Sequence, residues 1–129
     1  MTRQDVEDWL AGYERAWRTP GTEQLSKLFA EDATYQLSPY EEPLAGLAAI
    51  AQMWEEEREG PDEVFAVSSA VVAVDGDTAV ARVEVGYGDP LSREYRDMWV
   101  MRFSEDRRCV AFEEWPFWPG QPRTARGGE

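Results

Sequence analysis

REYRDMWVMRF, residues 93–103, alternates with a period of two. Tyr95, Asp97, Trp99, Met101 and Phe103 fall on one face, and Glu94, Arg96, Met98, Val100 and Arg102 on the other. Alternation of this kind predicts a half-buried strand. It also sets a problem, because one carboxylate shares a face with four large, mostly apolar side chains. Working outward, the period of two persists. EVFAVSSAVVAV (63–74) is rich in β-formers, and Asp75-Gly76 after it is a type I′ hairpin signal. TAVARVEVGY (78–87) returns with Ala79, Ala81, Val83, Val85 and Tyr87 on one face and Arg82 and Glu84 on the other. Gly88-Asp89-Pro90 turns into 93–103, and Ser104–Arg107 turns out of it into RCVAFEEW (108–115). These segments read as an antiparallel meander.

Before residue 62 the period is that of a helix. Val6, Trp9, Leu10, Tyr13, Ala16 and Trp17 make one stripe over 3–18, with Thr2 as cap and Thr19-Pro20-Gly21 as stop. A shorter helix is expected over 22–30, with Leu25, Leu28 and Phe29 inward. A brief strand follows over 33–37, then a loop, SPYEEPLAG. A third helix is expected over 47–59, its stripe Leu47, Ile50, Ala51 and Trp54, stopped by Gly60-Pro61, with EEERE as a solvated face. Helices first and a meander after imply an α+β domain: three N-terminal helices on the concave face of a curved, cone-shaped antiparallel sheet, with a pocket open at one end.

The totals narrow the function. With 129 residues the chain fits one core, and 43% of them are hydrophobic. A formal charge of −13 makes nucleic acid and membranes poor partners. Cys109 is the one cysteine, which rules out an internal disulfide and suits a reducing compartment. No apolar run approaches the roughly 20 residues of a membrane span, and MTRQDVEDW has no secretory h-region. A soluble, cytoplasmic protein is expected. Histidine is absent, which removes the commonest general base and metal ligand. Neither metal nor cofactor is expected, and acid–base chemistry falls to carboxylates, tyrosine, lysine or arginine.

Three phrases in order, LFAEDATY (28–35), PLAGLAAIAQMW (43–54) and FEEWPFWPG (112–120), the last after a strand carrying YRDMW, resemble the SnoaL-like branch of the nuclear transport factor 2-like superfamily. The resemblance runs from about residue 3 to 120. Residues 1–120 therefore read as a single SnoaL-like domain of cystatin-like roll, and 121–129 as a frayed tail. It implies a hydrophobic small-molecule partner and a homodimer joined through the outer sheet face. It also implies cofactor-independent chemistry of isomerase, cyclase or lyase type on a hydrophobic, carbonyl-bearing substrate, or else a non-catalytic binding module of the same fold.

Two acids are the catalytic candidates. Asp97 either accepts hydrogen bonds from Tyr13, Tyr35 or a tryptophan and holds the core in register, or stands desolvated in a cavity with its pKa raised toward neutrality. On the last strand parity does not decide between Glu113 and Glu114. The resemblance favours Glu114, which would face Asp97 from the neighbouring strand so that one of the two stays protonated. The ligand-binding candidates are Tyr13, Trp17, Tyr35, Tyr40, Trp54, Tyr95 and Trp99, although aromatics at helical spacing are also what a plain core contains. Trp115, Phe117 and Trp118 are expected to plug or rim the end of the barrel. Among the chemistries of the superfamily, the lack of histidine disfavours dehydratases that depend on it. Epoxide hydrolysis needs an arginine where this chain has Tyr95. An aspartate base with a tyrosine or a protonated acid as oxyanion donor fits best.

Overall fold

The computed structural model describes residues 1–60 and 62–121, so the expected tail at 121–129, apart from Gln121, and the stop at Pro61 lie outside the described residues. The elements are α1 (Arg3–Arg18), α2 (Leu25–Leu28), β1 (Phe29–Gln36), β2 (Leu44–Ala45), α3 (Leu47–Glu57), β3 (Phe65–Asp75), β4 (Thr78–Tyr87), β5 (Arg93–Phe103) and β6 (Cys109–Phe117). One six-stranded sheet runs in the order β2-β1-β6-β5-β4-β3, with β2 and β3 as its two edges. The meander β3-β4-β5-β6 is antiparallel, and β1 joins it parallel to β6.

Helix α1 starts on a capping box. The Thr2 hydroxyl accepts from the Asp5 N–H, and the Asp5 carboxylate accepts from the Thr2 N–H. Its stripe of Val6, Trp9, Leu10, Tyr13 and Ala16 is buried against the sheet, and the Trp9 indole N–H donates to the Leu28 carbonyl at 2.9 Å. Arg58, just past α3, closes the other end of α1. Its guanidinium donates to the carbonyls of Ala16 (3.4 Å), Thr19 (2.7 Å) and Gly21 (2.8 Å). A cation is well placed there, where the carbonyls of a helix C-terminus go unpaired and its dipole is negative.

Several elements differ from the expectation. The helix expected over 22–30 is a single turn, because Phe29 and Ala30 already belong to β1, where Phe29 pairs with Cys109. That pairing lies 80 residues away in sequence and no local periodicity reports it. The loop before α3 contains β2, where Leu44 and Ala45 pair with Tyr35 and Thr34. The third helix ends at Glu57, two residues early. At the first hairpin Asp75 still pairs with Thr78, so the turn is Gly76-Asp77, not Asp75-Gly76. Gly76 has φ +61°, while Asp77 keeps a negative φ, the pattern of a type II′ turn. The expected type I′ turn would put a second residue in the left-handed region.

A bulge in β3 at Val72 matters for the core. Val71 pairs with Ala81 and Ala73 with Val80, so the extra residue shifts parity and Val71 and Val74 both turn inward. The exposed bulge frees the Val71 carbonyl, which accepts from Arg3 at 2.7 Å and ties the start of α1 to this edge. Among the described residues no helix is long and apolar enough to cross a membrane.

Replacing Arg58 with alanine is expected to cost about 2 kcal/mol, the scale of hydrogen bonds from a charged donor, measured by urea denaturation. Arg58→Lys should recover less than half, since one ammonium cannot reach three diverging carbonyls.

Candidate functional site

The inner face of the sheet and helices α1 and α3 enclose a cavity of about 220 Å³. β5 supplies Tyr95, Asp97 and Trp99 to its wall, as the alternation predicts, and β6 supplies Glu114 and Pro116. Glu113 pairs with Val100 on the opposite face, so parity resolves in favour of Glu114. From the helices come Tyr13, Trp17 and Met53, with Glu14 and Glu57 also on the wall, and from β1 comes Tyr35.

Asp97 is 7% exposed and lies in the core, whereas Glu114 is half-buried. Its Oδ2 accepts from the Trp99 indole N–H at 3.2 Å, and Oδ1 has no partner. Burial raises its pKa to about 6 against the lowering effect of the Trp99 N–H. Glu114 is placed differently. Its Oε1 accepts from the Tyr35 hydroxyl at 2.5 Å, and the Tyr35 and Tyr13 hydroxyls are 2.8 Å apart. Burial pushes Glu114 up to about 8. The Tyr35 hydrogen bond opposes that rise and the Asp97 charge adds to it. Burial, with the Glu114 charge second, holds Tyr13 and Tyr35 well above the ordinary phenol range. The acids do not sit directly opposite one another. Trp99 pairs with Glu114 and Asp97 with Pro116, so they occupy diagonal positions that start roughly 7 Å apart.

This geometry sorts the aromatic candidates. Tyr13, Trp17, Tyr35, Tyr95 and Trp99 all line the cavity. Tyr40 does not: it sits in the turn Ser38–Glu41, fully exposed, because that turn carries its side chain away from the sheet. Trp54 does not either. It is fully buried behind the wall, 4.8 Å from the Trp17 ring and 5.1 Å from Tyr13, and its helical stripe put it in the core proper. Trp115 and Phe117 leave the rim as well. Trp115 pairs with Met98 and Phe117 with Arg96, which places both on the outer sheet face at 42% and 49% exposure. Trp118 alone reaches the open end, edge-on to Tyr95 at 6.5 Å.

Sequence reasoning missed Glu57, Glu14, Arg93 and Tyr87 on the wall. Glu57 was absorbed into an acidic run read as solvated. Its place on the wall comes from the angle of α3, which no spacing encodes. Tyr87 ends the inward-facing row of β4 and was legible by parity. Arg93 pairs with Glu59 at 3.4 Å and lies over the Tyr87 ring at 4.4 Å.

The sheet curls around an apolar, acid-bearing cavity against which α1 and α3 pack. The SnoaL-like domain pattern matches residues 6–112, and the chain belongs to that family. It is similar in structure to a Sinorhizobium meliloti protein provisionally described as a polyketide cyclase, at 23% identity and TM-score 0.65 over 88% of this chain and 99% of that one. An Agrobacterium tumefaciens protein provisionally described as an isomerase of the SnoaL-like family aligns at 16% identity and TM-score 0.70, over 88% and 98%. An NTF-2 like protein of unknown function from Burkholderia xenovorans aligns at 14% and 0.70, over 97% and 92%. At these identities the likeness is one of fold. No curated protein matches the chain.

Both buried acids bind protons more tightly when folded than when unfolded. The folded state therefore loses stability as pH rises from about 4 through 6 on account of Asp97, and on toward 8 on account of Glu114. Denaturation midpoints measured from pH 5 to 9 should fall with pH. Asp97→Asn should flatten the part below about 6, and Glu114→Gln the part that runs up to about 8.

Proposed function

We propose that this protein carries out cofactor-independent acid–base chemistry, of isomerase or cyclase type, on a small hydrophobic carbonyl compound held in the cone. The observation that carries the reading is the pair of carboxyl groups in one apolar cavity with pKa values driven apart. Asp97, near 6, is the ionised partner at neutral pH, and one of its carboxylate oxygens has no hydrogen-bond partner. Glu114, near 8, is the protonated one. A base and an acid that coexist at one pH are what proton abstraction beside a carbonyl requires.

In this reading the Asp97 carboxylate takes a proton from carbon next to the carbonyl. The hydroxyl chain supplies the counterpart at the oxygen. Tyr35 has one proton to give. While Glu114 is ionised, Tyr35 donates to it and Tyr13 donates to Tyr35, so that the cavity meets only the lone pairs of Tyr13. Once Glu114 carries its own proton, the order can run from Glu114 through Tyr35 and leave the Tyr13 O–H free to donate to a developing oxyanion. The cavity, at about 220 Å³, is below the usual range of drug-sized sites, so the substrate has one or two rings.

The protein is further proposed to act as a homodimer through its outer sheet face. There Met98, Val100, Trp115 and Phe117 form an apolar strip beside the Glu84–Arg96 ion pair, whose charged atoms lie 3.6 Å apart. A strip of this composition is unusual on a surface left to water.

Asp97→Asn should reduce turnover of a small cyclic ketone, read as deuterium exchange next to its carbonyl, by about 10³-fold, the middle of the range for loss of a general base. It should leave ligand quenching of tryptophan fluorescence within about twofold, since uniform binding is untouched. Exchange that persists in this variant at the wild-type rate sinks the mechanism. Trp115→Glu should convert the dimer to a monomer by light scattering, and a monomeric wild type would refute the assembly.

A further inference from the structure

We propose that the cone is a receptor for a protonated organic amine with a flat apolar body, its ammonium group paired with the Asp97 carboxylate among the rings of Tyr13, Tyr95 and Trp99. The inference rests on reading the cavity as a small-molecule site and names the charge of a ligand class that the site selects. Three observations carry it.

The first is the unpartnered oxygen. Asp97 is more than nine-tenths buried, faces the cavity, and has one oxygen satisfied by Trp99 and the other by nothing. A buried carboxylate oxygen without a donor is costly, and a ligand that brings a donor removes that cost. A charged donor does so best, because charge-assisted hydrogen bonds are about twice as strong as neutral ones.

The second is the absence of a competing cation on the wall. Arg93 is the one basic side chain among the described residues lining the cavity, and it is held by Glu59 and the Tyr87 ring. Among the described residues no basic side chain pairs with Asp97. Glu14 and Glu57 add acid to the same wall.

The third is the lining. Aromatic rings present a negative face, which attracts a desolvated cation placed among them. The same walls repel an anion and are indifferent to a neutral ring beyond its burial. An ammonium on the Asp97 carboxylate takes the place that proton abstraction assigns to the substrate C–H, so such an amine competes with the substrate.

Calorimetric titration of the purified protein near neutral pH with 2-naphthylmethylamine, 2-naphthylmethanol and 2-naphthoate tests this. The three probes share a body and differ in charge. The amine should bind roughly tenfold tighter than the alcohol and the carboxylate weaker than both. Asp97→Asn should bring the amine down to the level of the alcohol and leave the alcohol unchanged, while Glu114→Gln keeps the preference. A wild-type preference of threefold or less overturns the inference, as does one that survives Asp97→Asn or is lost in Glu114→Gln instead. If Asp97→Asn fails to fold, the wild-type ratio decides. Equal binding of amine and alcohol removes this inference and leaves the small-molecule reading standing, whereas binding of none of the three removes both.

Discussion

Taking the Asp97 carboxylate out of water costs free energy that the protein only partly offsets, through one indole N–H at 3.2 Å. The remainder appears as a pKa near 6 and as an oxygen with no partner. A chain selected for stability alone could place an apolar residue here, since its neighbours on the same face of β5 are Trp99, Met101 and Phe103, all buried. Stability spent at one position of an otherwise apolar row is the usual mark of a site kept for chemistry or recognition.

The rest of the fold holds that acid in its dry setting. The bulge at Val72 turns Val71 and Val74 inward and gives Arg3 a carbonyl to hold, which anchors α1 across the sheet. Arg58 closes the far end of α1 and brings α3 against it. Between them Tyr13, Trp54 and Trp17 pack ring against ring, and Tyr13 also meets Trp99 at 4.8 Å and Phe112 at 5.9 Å. Tyr13 is thus both a core residue and a wall residue. Its ring is fixed by packing and its hydroxyl by Tyr35, which is the kind of support that keeps a polar group aimed.

Glu114 depends on the same support. It stands diagonally from Asp97 and is stabilised by the Tyr35–Tyr13 chain, whereas Asp97 has only its tryptophan. Both are raised mainly by burial, and the Asp97 charge lifts Glu114 further. Glu114 is raised further than Asp97 although both are carboxyl groups on adjacent strands, because it also feels the charges of Asp97, Glu57 and Glu41.

Periodicity in the sequence was enough to establish α1, β4 and β5 and to put Tyr95, Asp97 and Trp99 on one face of β5. Each is a property of one element, and the period of 2 or 3.6 reports which face of an element is apolar whatever it packs against. What lay outside that reach depended on partners distant in the chain. Phe29 became strand by pairing with Cys109, Tyr40 was carried outward by its turn, and Trp54 went behind the wall and Glu57 onto it by the angle of α3. Only the tertiary structure decided that Glu114 and not Glu113 faces inward, and that it meets Tyr35. On β6 neither face is cleanly apolar, so the choice fell to the register with β5 and β1, which is set by the whole sheet and not by the strand itself.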